Sequence, residues 1–369
     1  MKHEVAETGD ELNSTSMLDI YSMNEKLYRK LVISEITEEV KGFKTFVFEE
    51  GHQIEYSSGQ YLTLVKFAGD KEIRRSYSIT SSPFLNEPLS IGVKRVENGW
   101  FSRELVDDAS PGDEVLTTGA GGFFILPENT ADFEQVFFFA AGAGITPVLS
   151  LIKTALYAHA HLNVVLVYSN ASPSKAAYLN ILRSLEKQFS GRLKLELLFS
   201  NSADLSKARL YRDLLLQLVD LHSLTAENKR LFYICGPEAY MRMCTYVLQE
   251  TGIPGTFIRK ENFVIHTKPA AANLPPDKEE RQVTLRYGND VYQFKVHYPD
   301  PILKAAKKQN ITLPYSCEVG RCGNCVAKCL NGKVWHSYNE VLTEKELAAG
   351  LVLTCVGHPV DGDVELVIK

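Results

Sequence analysis

Apolar residues change rhythm three times along the chain, and each rhythm predicts a different architecture. Between residues 27 and 127 they fall in short β-branched or aromatic runs, among them Phe43–Phe48, Gln60–Phe67, Arg75–Ile79 and Leu89–Val96, separated by turn residues. Such spacing predicts a small antiparallel β-barrel. Over 128–265 nearly continuous apolar stretches at Val136–Ala141, Val164–Tyr168, Leu193–Phe199 and Leu231–Cys235 alternate with helical segments. Those helices are expected near Pro147–Ala158, Ser174–Phe189, Ala208–Leu221 and Pro237–Thr251. Strands that are apolar on both faces and alternate with helices predict an α/β domain with a covered parallel sheet. Residues 266–280 carry Pro269, Pro275 and Pro276 and are expected to form a semi-extended linker. In the last part, 281–369, Val283, Leu285 and Tyr287 alternate up to Gly288-Asn289, and Tyr292, Phe294 and Val296 alternate back, a hairpin pattern. Residues 1–26 lack an apolar core and are expected to be a polar leader.

Composition narrows the function class. With 45% apolar and 23% charged residues the chain has the make-up of a globular protein, and 369 residues suffice for two or three domains. A net charge of −5 and the lack of any dense Lys/Arg stripe argue against nucleic-acid binding. The longest uncharged run, 136–152, is broken by Gly142, Gly144 and Pro147, which suits a strand–turn–helix rather than a membrane span. A cytoplasmic protein is expected.

Five of the seven cysteines crowd the end of the chain: Cys317, Cys322, Cys325, Cys329 and Cys355. In a cytoplasmic chain such clustering favours metal or redox chemistry over disulfides. Cys317-x4-Cys322-x2-Cys325 with a distant Cys355 is the plant-type spacing for a two-iron, two-sulfur cluster, in which each iron takes two thiolates. Gly320 and Gly323 permit the tight wrap that such a loop needs. Cys329 competes with Cys355 as fourth ligand, since Cys322-x2-Cys325-x3-Cys329 imitates part of a four-iron run. Structural zinc is the alternative metal.

At these residues, and at Gly350–Cys355 with His358-Pro359, the last part resembles a plant-type ferredoxin domain of α+β (β-grasp) fold. The preceding part resembles the ferredoxin–NADP reductase superfamily. Arg75-Ser76-Tyr77-Ser78 matches its R-x-Y-S element, which implies a guanidinium on the FAD pyrophosphate, a ring over the isoalloxazine and a hydroxyl at its N5 edge. Gly92-Val93-Lys94 is similar to the strand that passes the flavin, and Gly99 with Ser102 to the loop that holds phosphate. Ala120 stands where that family has Pro, while Gly122 and Phe124 keep its pattern.

Gly142-Ala143-Gly144-Ile145-Thr146-Pro147 follows an apolar strand and opens a helix, where glycines admit a pyrophosphate and Pro147 suits the first helical position. The resemblance implies that Thr146 and Cys235-Gly236-Pro237 face the nicotinamide and that Glu261-x-Phe263 closes the site. Ser78, Cys235 and Glu261 are thereby implied as the catalytic set. Ser200 and Arg209 match positions that meet the ribose phosphate of NADP users, although Ala171 replaces an expected Arg. NADPH is therefore expected before NADH. The implied activity is hydride transfer from NAD(P)H to FAD, then single-electron transfer through the cluster to an oxygenase. Phenylacetyl-CoA epoxidase or a steroid or aromatic hydroxylase would be the acceptor. A redox-sensing regulator is the competing class, and domain movement about the linker is expected to carry electrons outward.

Overall fold

The computed structural model describes residues 27–68, 71–263 and 274–368. The leader 1–26 and the first part of the expected linker, with Pro269, lie outside the described residues.

Short alternating runs build the first layer: β1 (Arg29–Val40), β2 (Phe43–Phe48), β3 (Tyr61–Ala68), β4 (Lys71–Ser78), β5 (Ser90–Lys94) and β6 (Glu114–Gly121). They form one antiparallel six-stranded sheet in the order β4-β3-β6-β1-β2-β5. An Ile79–Ile91 bridge brings its two edges together, so the sheet curls into a barrel. Its inward positions, including Leu31, Ile33, Phe46, Phe48, Leu62, Leu64, Ile91 and Val93, make one core. Period-two alternation sends these side chains inward.

The second layer is a five-stranded parallel sheet of β7 (Gln135–Ala141), β8 (Asn163–Asn170), β9 (Leu193–Phe199), β10 (Arg230–Cys235) and β11 (Ile258–Glu261), ordered β11-β10-β7-β8-β9. Strands β7, β8, β9 and β10 each feed two cores. Val136, Phe138, Val164, Leu166 and Tyr233 face one side, beneath helices Ile145–Tyr157 and Leu179–Gln188. Phe137, Phe139, Val165, Phe232 and Ile234 face the other, beneath helices Arg212–His222 and Glu238–Glu250. Phe137 stacks on Phe232 with centroids 5.4 Å apart, and each such buried ring contributes about 1.5–3 kcal/mol.

Three helix starts differ from expectation by two residues or more, and the fourth, Glu238–Glu250, begins one residue after the expected Pro237. Helix Ile145–Tyr157 begins two residues before Pro147, so the proline occupies the third helical position. That is tolerated because N–H groups of the first turn lack intrahelical acceptors in any case. The expected Ser174–Phe189 helix starts at Leu179, since Pro173–Lys175 forms a 3-10 turn and Tyr178 adopts a left-handed φ of 61°. The expected Ala208–Leu221 helix starts at Arg212, which leaves Arg209 in a loop.

The third layer holds β12 (Arg281–Tyr287), β13 (Asp290–Val296), β14 (Val326–His336), β15 (Leu351–Leu353) and β16 (Gly357–Ile368), in the order β13-β12-β16-β14-β15. The β12–β13 hairpin turns at Gly288-Asn289, with Tyr287 opposite Asp290. Helix Ile302–Lys308 buries Ile302, Leu303 and Ala306 against this sheet.

The layers are joined by specific contacts. Phe124 packs edge-on against Tyr233 at 5.2 Å, and the Tyr233 hydroxyl donates to the Ile125 carbonyl at 2.7 Å. The Arg259 guanidinium makes two bonds of 3.0 Å to the Glu346 carboxylate, linking the parallel sheet to the last layer. Arg74 donates to the Tyr315 carbonyl at 2.8 Å and lies over the Tyr315 ring at 3.7 Å.

Candidate functional site

Parallel β-strands expose their carboxyl ends at one edge of a sheet, where ligands of α/β domains bind. Here β7 and β10 are neighbours, with Ala140 opposite Cys235, and β11 sets Glu261 opposite Cys235. The loop after β7 therefore meets the loop after β10. A methyl group on Gly144 would sit 2.0 Å from the Cys235 carbonyl oxygen, and one on Gly236 would lie 2.9 Å from the Ala141 Cβ. Thr146 Oγ1 donates to the Ala143 carbonyl at 2.9 Å, closing the turn.

Gly142, Ser200, Arg209 and Pro237 line one cavity of about 700 Å³, together with Lys94 from the barrel. Lys41 and Lys175 also line it, so four cationic side chains and no carboxylate surround the space. Neither lysine was singled out from the sequence. Lys175 follows Ala171 in the loop after β8, where a cation was expected and one is supplied four residues late.

The barrel brings its own residues to this junction. Gly92 on β5 lies so close to the helix carrying Thr146 that an added Cβ would stand 2.4 Å from Thr146 Cγ2 and 2.7 Å from the Tyr178 hydroxyl. Val93 is fully buried in the barrel core. Tyr77 is half-buried beside Phe101, their centroids 6.1 Å apart. Arg75 donates to its neighbour's carbonyl, Arg74 O, at 2.7 Å. Ser76 Oγ lies 2.8 Å from Ser316 Oγ, and Ser102 Oγ donates to the Gly99 carbonyl at 3.1 Å and accepts from the Val96 amide. Those two hydroxyls are engaged within the protein. Ser78 Oγ, by contrast, is buried with no hydrogen-bond partner.

Ser78 lines a narrow cleft with Tyr61, Glu261, Phe263, Cys317, Arg321 and Cys322. This cleft joins barrel, parallel sheet and cysteine loop. Burial pushes the Glu261 carboxyl up to about 8, with the charge of Cys317 adding to the effect. Burial likewise pushes the Cys235 thiol up.

In the cysteine loop, Gly320 and Gly323 adopt φ of 75° and 77°, and Glu318 a φ of 57°. The wrap turns the amides of Val319 and Arg321 onto Cys317 Sγ at 3.5 and 3.4 Å. The Cys317 amide lies 3.5 Å from Cys322 Sγ, and the neighbouring Cys322 and Cys355 thiols, with the Val319 and Arg321 amides, hold the Cys317 thiol far down. Cys355 in turn lies beside Cys317 and Cys325. Four sulfurs thus converge. Cys329 does not join them: on β14 it faces the carbonyls of Asn331 and Gly332, at 3.3 and 3.6 Å. Among the described residues no three His, Cys, Asp or Glu side chains surround a single-ion position. A two-iron cluster asks for ligands in pairs, two to each iron, rather than four around one ion.

Comparison with known proteins follows the same three layers. Residues 30–125 match an oxidoreductase FAD-binding domain, 138–245 an oxidoreductase NAD-binding domain, and 289–360 a 2Fe-2S iron-sulfur cluster binding domain. The chain is 31% identical over 350 residues to a subunit of 1,2-phenylacetyl-CoA epoxidase from Escherichia coli K12, covering 91% of this chain and 96% of that protein. The chain belongs to the family of three-domain oxygenase reductase components.

The reductase is also 30% identical over 353 residues to the ferredoxin reductase component of 3-ketosteroid-9-alpha-monooxygenase from Mycolicibacterium smegmatis, covering 91% of this chain and 96% of that one. Its fold matches phthalate dioxygenase reductase with a TM-score of 0.56 at 24% identity, over 94% of this chain and 99% of that one. It is an NAD(P)H-dependent electron-transfer oxidoreductase with FAD-, NAD- and 2Fe-2S-binding domains. No helix among the described residues of the reductase is long and apolar enough to cross a membrane.

The residues present fit these groups. Ser78 Oγ is a buried polar atom in want of a partner, and buried hydroxyls are nearly always hydrogen-bonded. The cationic cavity suits a dinucleotide that carries phosphates. The four converging sulfurs suit thiolate ligation of iron.

Proposed function

We propose that this reductase takes a hydride from NADPH at the Cys235–Glu261 edge and delivers electrons singly to an oxygenase. The observation that carries the reading is the meeting of three residue sets at one junction. Thr146 touches Gly92, Cys235 pairs with Glu261, and Glu261 shares a cleft with Ser78 and Cys322. When bound, FAD accepts two electrons as hydride and releases them one at a time to the iron–sulfur centre.

The chain's own residues bind and orient. Arg75, Ser76, Tyr77 and Ser78, with Gly92, Val93 and Lys94 and the Gly99–Ser102 turn, hold the flavin. Gly142, Gly144, Thr146 and Pro147, with Cys235, Gly236 and Pro237, hold the nicotinamide half of the donor. Cys317, Cys322, Cys325 and Cys355 are the cluster ligands. Burial keeps the Glu261 carboxyl protonated at neutral pH, so that it offers a hydrogen bond rather than a charge beside the reacting ring.

Ser200 and Arg209 receive the 2′-phosphate of NADPH. Their place on a cavity with three lysines and no acid supports this over NADH. Removing the guanidinium in Arg209→Ser is expected to lower kcat/KM for NADPH about 10- to 100-fold and leave NADH within threefold. Equal losses with both donors refute the assignment.

The oxygenase partner is proposed by likeness to the phenylacetyl-CoA epoxidase subunit and to the reductase component of ketosteroid monooxygenase. A cytoplasmic protein that acts without nucleic acid or membrane accords with its composition. Anaerobic titration with NADPH tests the whole reading, followed by visible absorption and electron paramagnetic resonance. Flavin bleaching followed by a reduced-cluster signal is expected; a colourless or zinc-loaded protein refutes it.

A further inference from the structure

Three consecutive residues of the cysteine loop each touch a different barrel residue. The Tyr61 hydroxyl donates to the Cys322 carbonyl at 2.8 Å, and Tyr61 is only 2% exposed. Gly323, at a φ of 77°, lies so near Phe123 that a Cβ would stand 2.7 Å from its Cδ2. Asn324 lies over Gly121, where an added Cβ would meet Asn324 Oδ1 at 2.3 Å. The contacts form a row: hydrogen bond, glycine against ring, amide against glycine. Tyr61 and Gly121 sit at one rim, because β3 pairs them across the sheet, and Phe123 follows two residues after β6 ends there.

We propose that Tyr61, Gly121 and Phe123 are a docking seat that positions the Cys322-Gly323-Asn324 tongue for electron transfer from the flavin domain. Tyr61 acts as a positioning residue, and Gly121 is small because the tongue occupies the space a side chain would fill. The seat rests on the flavin-to-cluster reading above but describes this chain's own packing. It is one stop of the ferredoxin-like layer, from which that layer leaves to meet its external acceptor.

The energetics are local. Tyr61→Phe keeps the ring and removes the hydroxyl, leaving the Cys322 carbonyl without its donor whenever the tongue is seated. An unmet buried acceptor shifts such an equilibrium by about 5- to 150-fold. Gly121→Val suits a β-strand, since Gly121 does not have a left-handed φ, yet its side chain displaces Asn324. Asn324→Ala vacates that space from the opposite side of the seam.

The test uses the full chain with its cofactors, in single-turnover mixing with NADPH, and small-angle X-ray scattering of the same variants without donor. Gly121→Val is expected to bleach the flavin at the native rate and reduce the cluster about 5- to 150-fold more slowly. Tyr61 also lines the Ser78 cleft, so Tyr61→Phe is expected to slow cluster reduction relative to its own flavin bleaching by a similar factor. Their scattering is expected to report a larger radius of gyration than the native protein. Gly121→Val/Asn324→Ala is expected to recover both cluster reduction and radius to within about threefold and to native size respectively, a cross-domain rescue that a simple barrel defect would not allow. Native cluster reduction and native scattering in both single variants overturn the seat, as does a double variant no better than Gly121→Val. If the native protein fails to bleach with NADPH, the donor reading fails; the scattering comparison still decides the seat.

Discussion

Gly144→Ala tests how tightly the nicotinamide loop is built. The new Cβ would stand 2.0 Å from the Cys235 carbonyl oxygen, 2.4 Å from its carbon and 2.9 Å from the Gly236 nitrogen. All three are backbone atoms at the end of a strand whose register with β7 is continuous from Arg230 to Cys235. Ordinary contact needs more than 3 Å, so helix start and strand end must part by about 1 Å or more, at a cost of about 1–3 kcal/mol. A misplacement of about 1 Å between reacting groups costs about 100-fold in rate. Steady-state ferricyanide reduction isolates the nucleotide-to-flavin step, and kcat/KM for NADPH is expected to fall about 100-fold. Cluster absorbance should be retained. Gly191→Ala is the control, since no atom beyond its chain neighbours lies within 4 Å of its added methyl; its stability should stay within about 0.5 kcal/mol of native. A Gly144→Ala protein whose kcat/KM stays within threefold of native would refute the argument.

Other consequences follow from the same geometry. Cys355→Ser is expected to lose most bound iron while Cys329→Ser keeps it, since Cys329 faces the carbonyls of Asn331 and Gly332 rather than the other sulfurs; iron assay of both purified variants checks this. His336 titrates in the opposite sense to a paired histidine. Burial, with the His358 charge, pushes it down to about 4, and its Nε2 accepts from the Leu353 amide at 2.9 Å. The unfolded chain, near 6.5, takes up the proton first, so stability falls as pH drops from about 6.5 to about 4. His336→Gln, which cannot titrate, should flatten that part of the pH profile of the unfolding midpoint followed by cluster absorbance; an unchanged slope refutes the assignment.

How far the candidate site was legible depends on how local each signal is. The parallel sheet was readable because Val136–Ala141 and Leu231–Cys235 are apolar on both faces, and only a doubly covered strand requires that. Strand β11, four residues carrying Arg259 and Lys260, has no such run and was not expected as a strand. It exists because β10 offers it a parallel edge. Lys41 and Lys175 carry no motif; they come to the cationic cavity only because the barrel and the loop after β8 meet there. Tyr61 reads as an ordinary strand aromatic until the cysteine loop is seen against it.

The amino-acid order by itself determined the three rhythms of burial, the glycines of the loop after β7 and the x4-x2 spacing of Cys317, Cys322 and Cys325. These are short-range properties: periodicity selects strand or helix, and a loop of a few residues constrains which groups can face one point. Tertiary structure alone decided that Cys355, thirty residues past Cys325, comes in among the sulfurs while nearby Cys329 does not. It also decided that Thr146 meets Gly92 and that the cysteine loop rests on Tyr61 and Gly121. Such meetings between distant segments are set by how whole layers pack, because burial of large apolar faces dominates the free energy and places the few polar contacts at their seams.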